Sequence, residues 1–142
     1  METAILGIIS LMKTKKKPKY NLNSSIRSAI RRVFSRSPFV REVLMKVRKE
    51  EVKYNKDGSK AAKPAVRYQC NVCKKWFKST EVAVDHIIPV ISIEEGFKNW
   101  DTFVERLFCN SMNLQVICDI CHHTKTQLER KLRKELEANR KF

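Results

Sequence analysis

The chain has 142 residues, of which 30 are Lys or Arg and 15 are Asp or Glu, so its formal net charge is +15. This length suits one modest domain with an extension, and a core of that size gains much stability from a bound metal. The charge favours a polyanionic partner, and nucleic acid is the first candidate. Residues 1–69 hold 18 basic and 5 acidic side chains and residues 70–142 hold 12 and 10, so the first half supplies the electrostatics.

The five cysteines come without a secretory signal. That usage argues against a disulfide framework and for thiolates that bind metal in a reducing compartment, so we expect a cytoplasmic protein. The opening segment, METAILGIISLM, is too short an apolar stretch to span a bilayer, and no membrane partner is expected. We expect this segment to be a short docking helix or disordered. The basic run at residues 13–19 is predicted to be a linker or a flexible arm that contacts phosphates.

Two amphipathic helices are predicted over residues 24–53. The first begins at a cap formed by Ser24 or Ser25, and its apolar face consists of Ile26, Ile30, Val33 and Phe34. The second begins at Ser37-Pro38, and its apolar face consists of Val40, Val43, Leu44 and Val47. Residues 55–59 form a turn or loop, and an extended basic strand then leads to Cys70. The basic side chains predicted to contact nucleic acid, DNA or RNA, in this half are Arg27, Arg31, Arg32, Arg41, Lys63 and Arg67.

The second half is predicted to contain strands and helices around metals, after a cysteine knuckle. Strands are predicted at residues 81–87, ended by Pro89, and at residues 113–117. Helices are predicted at residues 100–108 and 119–137. Side chains predicted to lie in the core are Trp76, Phe77, Trp100, Phe103, Val104, Leu107, Phe108, Cys109, Leu128, Leu132 and Leu136. For Trp76, Phe77 and Trp100, stacking on nucleic-acid bases is the alternative. The predicted division is a basic, mainly helical extension over residues 1–66 and a domain over residues 67–142.

Four cysteines stand in two CxxC pairs, Cys70 with Cys73 and Cys118 with Cys121. Four thiolates can close a tetrahedral structural zinc site. The 44 residues between the pairs exceed the common ribbon spacing, so a redox role or incidental thiols are the alternative. The order and context of the pairs favour zinc.

A second set of polar residues lies between and beside these pairs: Asp85, His86, Asn113 and His122. A carboxylate, two imidazoles and an amide are free to form a second, catalytic metal site. Adjacent strand residues point to opposite faces, so Asp85 and His86 must lie at a strand end or a bend to reach one site. Spacing alone leaves open whether His122 or His123 is the ligand, because adjacent helix positions differ by about 100°.

The segments CNVC, VDHIIP, NLQVIC and CHHTKT, in that order, resemble the HNH endonuclease family, whose fold is the ββα-metal fold. The likeness covers roughly residues 68–127. The basic front end is similar to small free-standing HNH proteins of bacteriophages. The resemblance implies an α+β fold in which a ββα-metal domain with a structural zinc knuckle follows a basic helical extension.

The resemblance also implies a role for each matching residue. His86 would be the general base, and Asp85 would hold Mg²⁺ or Mn²⁺ together with His122, which the family pattern CxxCHxxK favours over His123. Asn113 would pin the loop between the strands and so orient His86. Lys125 would contact a phosphate. Thr126 stands where some family members have another histidine, so a third imidazole ligand is not expected.

The function predicted from these residues is a metal-dependent endonuclease that hydrolyses phosphodiester bonds of double-stranded DNA. Homing, restriction and packaging enzymes share such a site, and the likeness to phage proteins favours a homing-type enzyme. The alternative is a non-catalytic zinc-containing module that binds nucleic acid. Cleavage that requires an added divalent ion would distinguish the two.

Overall fold

The computed structural model describes residues 19–140. The predictions for METAILGIISLM and for residues 13–18 of the basic run lie outside the described residues. The described part is a mixed α+β structure, as predicted. Its elements are α1 (Leu22–Phe34), α2 (Pro38–Lys46), β1 (Arg48–Glu51), β2 (Ala65–Gln69), β3 (Trp76–Phe77), β4 (Val82–His86), α3 (Trp100–Leu107), β5 (Leu114–Cys118) and α4 (Asp119–Asn139).

The strands form two small antiparallel sheets. One has the order β1-β2-β3, and the other is the pair β4-β5. In the pair, the register runs from Val82 opposite Cys118 to His86 opposite Leu114. Helix α4 begins at the residue after β5 and contacts both strands of the pair. The end of β5 and the start of α4 therefore lie beside the beginning of β4, and the end of β4 lies beside the beginning of β5.

The two N-terminal helices are present, but their ends differ from the prediction. The cap of α1 is Asn21 and not a serine, because the Asn21 side chain accepts a hydrogen bond from the Ser24 N–H at 2.9 Å. Helix α2 begins after Ser37 with Pro38 in its first turn, as predicted. It ends at Lys46 rather than near residue 53, because residues 48–51 form β1 and pair with β2.

The main core joins the N-terminal helices to the cysteine-bearing part of the chain. Its buried residues are Phe34, Val43, Val90, Phe103, Leu107, Leu114 and Val116. Phe34 comes from α1 and Val43 from α2, and both pack with residues of α3 and β5. The predicted division at residues 66 and 67 stays a prediction. In the described residues, β2 crosses that position and the two parts share this core.

Several side chains predicted to be buried are exposed. In α3, Phe103 and Leu107 are buried, but Val104 is 39% exposed because it lies about 100° around the helix from Phe103. In α4, Leu128 is 56% and Leu132 is 38% exposed, since a polar face of this helix, described below, turns toward the strands. Leu136, one turn further along α4, is half-buried.

Trp76 was predicted to lie in the core, and this is wrong. It is 40% exposed because β3 is a two-residue edge strand, and the Lys49 Nζ lies 4.0 Å from the centre of its indole ring. Trp100 and Cys109 are half-buried and pack against the main core, and Phe77 packs against the cysteines. Among residues 19–140, no helix combines the length and the apolar character that crossing a bilayer requires.

Candidate metal centre and adjoining cleft

Four cysteine thiols converge where the three-stranded sheet meets the end of β5. Cys70 follows β2 and Cys73 lies in the turn after it, while Cys118 ends β5 and Cys121 lies in the first turn of α4. Their sulfur atoms all lie within 4.8 Å of one another, and those of Cys73 and Cys118 are 3.9 Å apart. Bonds of about 2.3 Å to a tetrahedral zinc ion would place sulfurs roughly 3.8 Å apart. The four thiols could therefore hold one metal ion.

Tight backbone turns position the first pair. The Lys74 N–H donates to the Cys70 carbonyl at 2.9 Å, and Lys74 has a φ of 60°, in the left-handed region that few non-glycine residues adopt. The Cys118 N–H donates to the Cys70 sulfur at 3.4 Å. Donors aimed at a sulfur atom favour its thiolate form, which is the form that binds metal.

The protonation of the cysteines supports this assignment. Burial raises the pKa of Cys70, but hydrogen bonds from the backbone of Cys118, Cys73 and Val72 outweigh it and lower that pKa to about 6. The sulfur of Cys118, followed by burial and the other two cysteines, raises the pKa of Cys121 to about 12. Because adjacent thiolates repel one another, the four thiols do not all lose their protons unless a cation is bound. A divalent metal ion removes this conflict because it binds thiolates and displaces their protons.

Beside this centre, Asp85 of β4 faces His122 in the first turn of α4. The His122 Nε2 lies 3.9 Å from the Asp85 Oδ1, and the Asp85 side chain is 16% exposed. Because 3.9 Å is less than twice a metal–ligand bond of about 2.1 Å, a single ion could touch both atoms. His123 lies elsewhere, since its Nε2 is 3.1 Å from the Gln127 amide nitrogen on the exposed side of α4. Of the two adjacent imidazoles, the structure brings His122 to Asp85.

His86 is the last residue of β4, so the Asp85-His86 pair does lie at a strand end. The residue is 6% exposed, and its Nε2 lies 2.8 Å from the Leu107 carbonyl oxygen. A carbonyl only accepts, so Nε2 carries the proton in the neutral ring and Nδ1 is left able to accept one. Burial lowers the pKa of His86, which keeps the imidazole neutral near pH 7. The Phe34 ring, with its centre 5.0 Å away, packs against it.

Asn113 ties the segment after β4 to the start of β5. Its Oδ1 accepts from the Ile88 N–H at 2.9 Å, and its Nδ2 donates to the Ile88 carbonyl at 3.3 Å. Its own carbonyl accepts from the Ile87 N–H at 2.9 Å. These bonds fix the backbone directly after His86.

Lys125 lies at the centre of an internal hydrogen-bond network. Its Nζ donates to Asp85 Oδ2 at 2.9 Å, to Glu129 Oε1 at 2.7 Å and to the His86 carbonyl at 2.8 Å. Burial lowers the pKa of Lys125, but the hydrogen bonds to both carboxylates outweigh it and hold that pKa above its ordinary value. An ammonium group has three N–H donors, and all three are used here. The predicted contact of Lys125 with a phosphate stays a prediction.

A cleft of about 210 Å³ opens over these residues. Asp85, His86 and His122 all line it, together with Arg31 from α1 and Arg133 from α4. Sequence reasoning missed Glu129 and Arg133 as parts of this site. Their spacing contains the signal, because positions 122, 125, 126, 129 and 133 follow one face of a helix.

The other basic residues predicted to contact DNA lie away from the cleft. Arg32, Arg41 and Lys63 are exposed. The Arg27 guanidinium lies 5.6 Å from the centre of the Phe97 ring, and Arg67 lies 3.8 Å from Glu51. Comparison with protein-family models, with curated proteins and with solved structures gives no match for this chain.

Proposed function

We propose that the protein is a metal-dependent DNA endonuclease of the HNH type, in which β4, β5 and α4 form the ββα-metal unit. One observation carries the proposal: a general-base candidate and two ligand candidates, His86, Asp85 and His122, line the same cleft. Four separate sequence segments supply these residues and the cysteines in the order that the HNH family shows. Chance rarely brings such a set together in three dimensions.

The metals that we propose differ in role. Zinc suits the four thiols and would hold the ends of β2 and β5 and the first turn of α4 together. Mg²⁺ or Mn²⁺ suits Asp85 and His122, because such ions keep several waters and often take only one or two protein ligands. When bound, this ion would stabilise the negative charge that builds up on the phosphate and the leaving 3′ oxygen.

His86 acts as the general base in this mechanism. Its Nδ1 takes a proton from a water molecule, whose oxygen forms a bond to the scissile phosphorus as the bond to the 3′ oxygen breaks. The leaving oxygen takes a proton from solvent, so the products are a 5′ phosphate and a 3′ hydroxyl. The Leu107 carbonyl and the Phe34 ring hold the imidazole in place, and the Asp85 carboxylate favours the imidazolium that forms.

Double-stranded DNA is the substrate that we propose. The formal charge of +15 would neutralise many phosphates, so binding should weaken steeply as salt concentration rises. The likeness of the basic front end to small phage HNH proteins favours a homing-type enzyme that acts in the cytoplasm of a host cell.

Plasmid cleavage tests the proposal. The zinc-loaded protein is incubated with supercoiled plasmid, with Mg²⁺ or Mn²⁺ and without added metal, and nicked and linear products are measured. We expect product only with the added ion. His122→Ala should abolish cleavage, whereas the matched variant His123→Ala should retain it, because only His122 faces Asp85. Salt-sensitive DNA binding without cleavage under any divalent ion would contradict the proposal and support the non-catalytic module.

A further inference from the structure

We propose that Arg31 and Arg133 form a clamp that binds the scissile phosphodiester, one guanidinium from each end of the described chain. This inference rests on the proposed function for its biological meaning. Its physical content, an anion site between two arginines, can be tested without any cleavage. It would make the N-terminal helix part of the active site rather than a separate arm for DNA contact.

Arg31 is the one basic residue of α1 that reaches the catalytic cleft. It lines the cleft together with Asp85, His86 and His122, and it also lines the neighbouring cavity on the α1 side of His86. Its guanidinium lies 5.6 Å from the centre of the Phe103 ring, within the range of a cation–π contact. Arg31 takes part in none of the ion pairs formed among residues 19–140, so its N–H donors are available to an anion.

Arg133 lies across the cleft on α4, three turns after His122. One of its terminal nitrogens donates to the Ile91 carbonyl at 3.0 Å, which orients the guanidinium. Its Nε is buried and has no hydrogen-bond partner within the described part of the chain. That atom is closed to solvent, so an anion in the cleft would meet the terminal nitrogens of the guanidinium, and Arg133 lines the cleft.

The charges around the cleft fit a single anion. Arg31, Lys125 and Arg133 contribute three positive charges, and Asp85 and Glu129 contribute two negative charges. Lys125 is bonded to both carboxylates, so the two arginines carry the positive charge that remains unpaired. A guanidinium presents parallel N–H donors that match two oxygens of a phosphate, and this geometry favours Arg over Lys at such a site.

Side-chain NMR of the wild-type protein tests the anion site directly. Inorganic phosphate is titrated into the zinc-loaded protein without Mg²⁺ or Mn²⁺, and the Nε–Hε signals of arginine are followed. We expect saturable shifts at Arg31 and Arg133 and much smaller shifts at Arg32 and Arg130, which lie on the same helices but do not line the cleft. Equal shifts at all four arginines, or none at Arg31 and Arg133, would overturn the clamp, whether or not the protein cleaves DNA.

Cleavage kinetics test the clamp in the working enzyme. Arg31→Ala and Arg133→Ala should lower kcat/KM about 10- to 100-fold more than Arg32→Ala and Arg130→Ala, which remove the same charge from the same helices. Arg31→Lys should restore only part of the loss, because an ammonium group lacks the paired donors. Zinc content should match the wild type, and circular dichroism should show a folded protein that melts slightly lower for Arg133→Ala, which loses the hydrogen bond to the Ile91 carbonyl. Equal losses in all four alanine variants would show that only the net charge affects the rate, and this would refute the clamp. A wild-type protein that cleaves no DNA would refute the proposed function instead.

Discussion

Replacing Cys118 by serine should destabilise the protein strongly, because it removes one of the four sulfurs that surround the proposed zinc ion. Structural zinc sites bind with an apparent free energy of about 10–16 kcal/mol, and an equal share for each ligand gives about 2.5–4 kcal/mol. For a chain of this size, that loss corresponds to a fall in melting temperature of about 10–15 °C. Cys118 is also 2% exposed, so the serine hydroxyl would be buried, which adds to the cost.

Cys109→Ser is the matched control for this change. Cys109 is a half-buried cysteine outside the cluster, so the same substitution there should cost about 1 kcal/mol or less and leave zinc binding intact. Thermal unfolding followed by circular dichroism gives the melting temperatures, and elemental analysis gives the zinc content. If the Cys118→Ser variant had the same melting temperature as the Cys109→Ser variant and retained one zinc ion per chain, the assignment of the cluster as a structural metal centre would be wrong.

Two further substitutions and one control test the packing near the site, each by chemical denaturation. Asn113→Ala removes two hydrogen bonds to Ile88 and should lower the free energy of unfolding by about 1–2 kcal/mol; an unchanged value would show that the amide does not anchor this segment. Leu107→Ala should cost about 2–5 kcal/mol because its side chain is fully buried. Val104→Ala, on the exposed side of the same helix, should cost less than about 1 kcal/mol; the reverse order would contradict the described orientation of α3.

Local signals in the sequence predicted the elements of the second half well. The alternation of Val82 and Val84 located β4, and the spacing of Phe103 and Leu107 located α3, each to within a residue or two. The two CxxC pairs indicated that the cysteines would converge, and the structure brings them together. These features depend on residues close in sequence or on metal-ligand chemistry, which short motifs encode.

Strand β1 and the edge of its sheet could not be predicted in this way. Residues 48–51, Arg-Lys-Glu-Glu, show no apolar alternation, and they form a strand because they pair with β2. Ion pairs from Lys49 and Arg67 to Glu51 support that pairing on one face. Trp76 lies exposed under Lys49 for the same reason, since its environment is set by a partner strand distant in sequence.

The orientation of α4 also depends on tertiary structure. The leucines spaced four residues apart form a stripe, and the sequence favours placing it inward. In the structure two of these leucines are exposed and the third is half-buried. A polar face turns toward the strands instead, because Lys125 bonds to Asp85 of β4 and Arg133 bonds to the segment after β4. Hydrophobic periodicity identifies an apolar stripe on a helix. It does not show whether that stripe or a polar face with tertiary hydrogen bonds packs against the rest of the protein. The missed site residues Glu129 and Arg133 follow from this orientation.

The rate of plasmid cleavage by a His86→Ala variant tests the proposed chemistry most directly. The variant loses the imidazole whose Nδ1 takes the proton from water, and loss of a general base lowers rates by about 10²- to 10⁴-fold. We predict a fall of this size at saturating Mg²⁺, with zinc content and salt-sensitive DNA binding equal to those of the wild type. Cleavage by His86→Ala at the wild-type rate would contradict the account of the site.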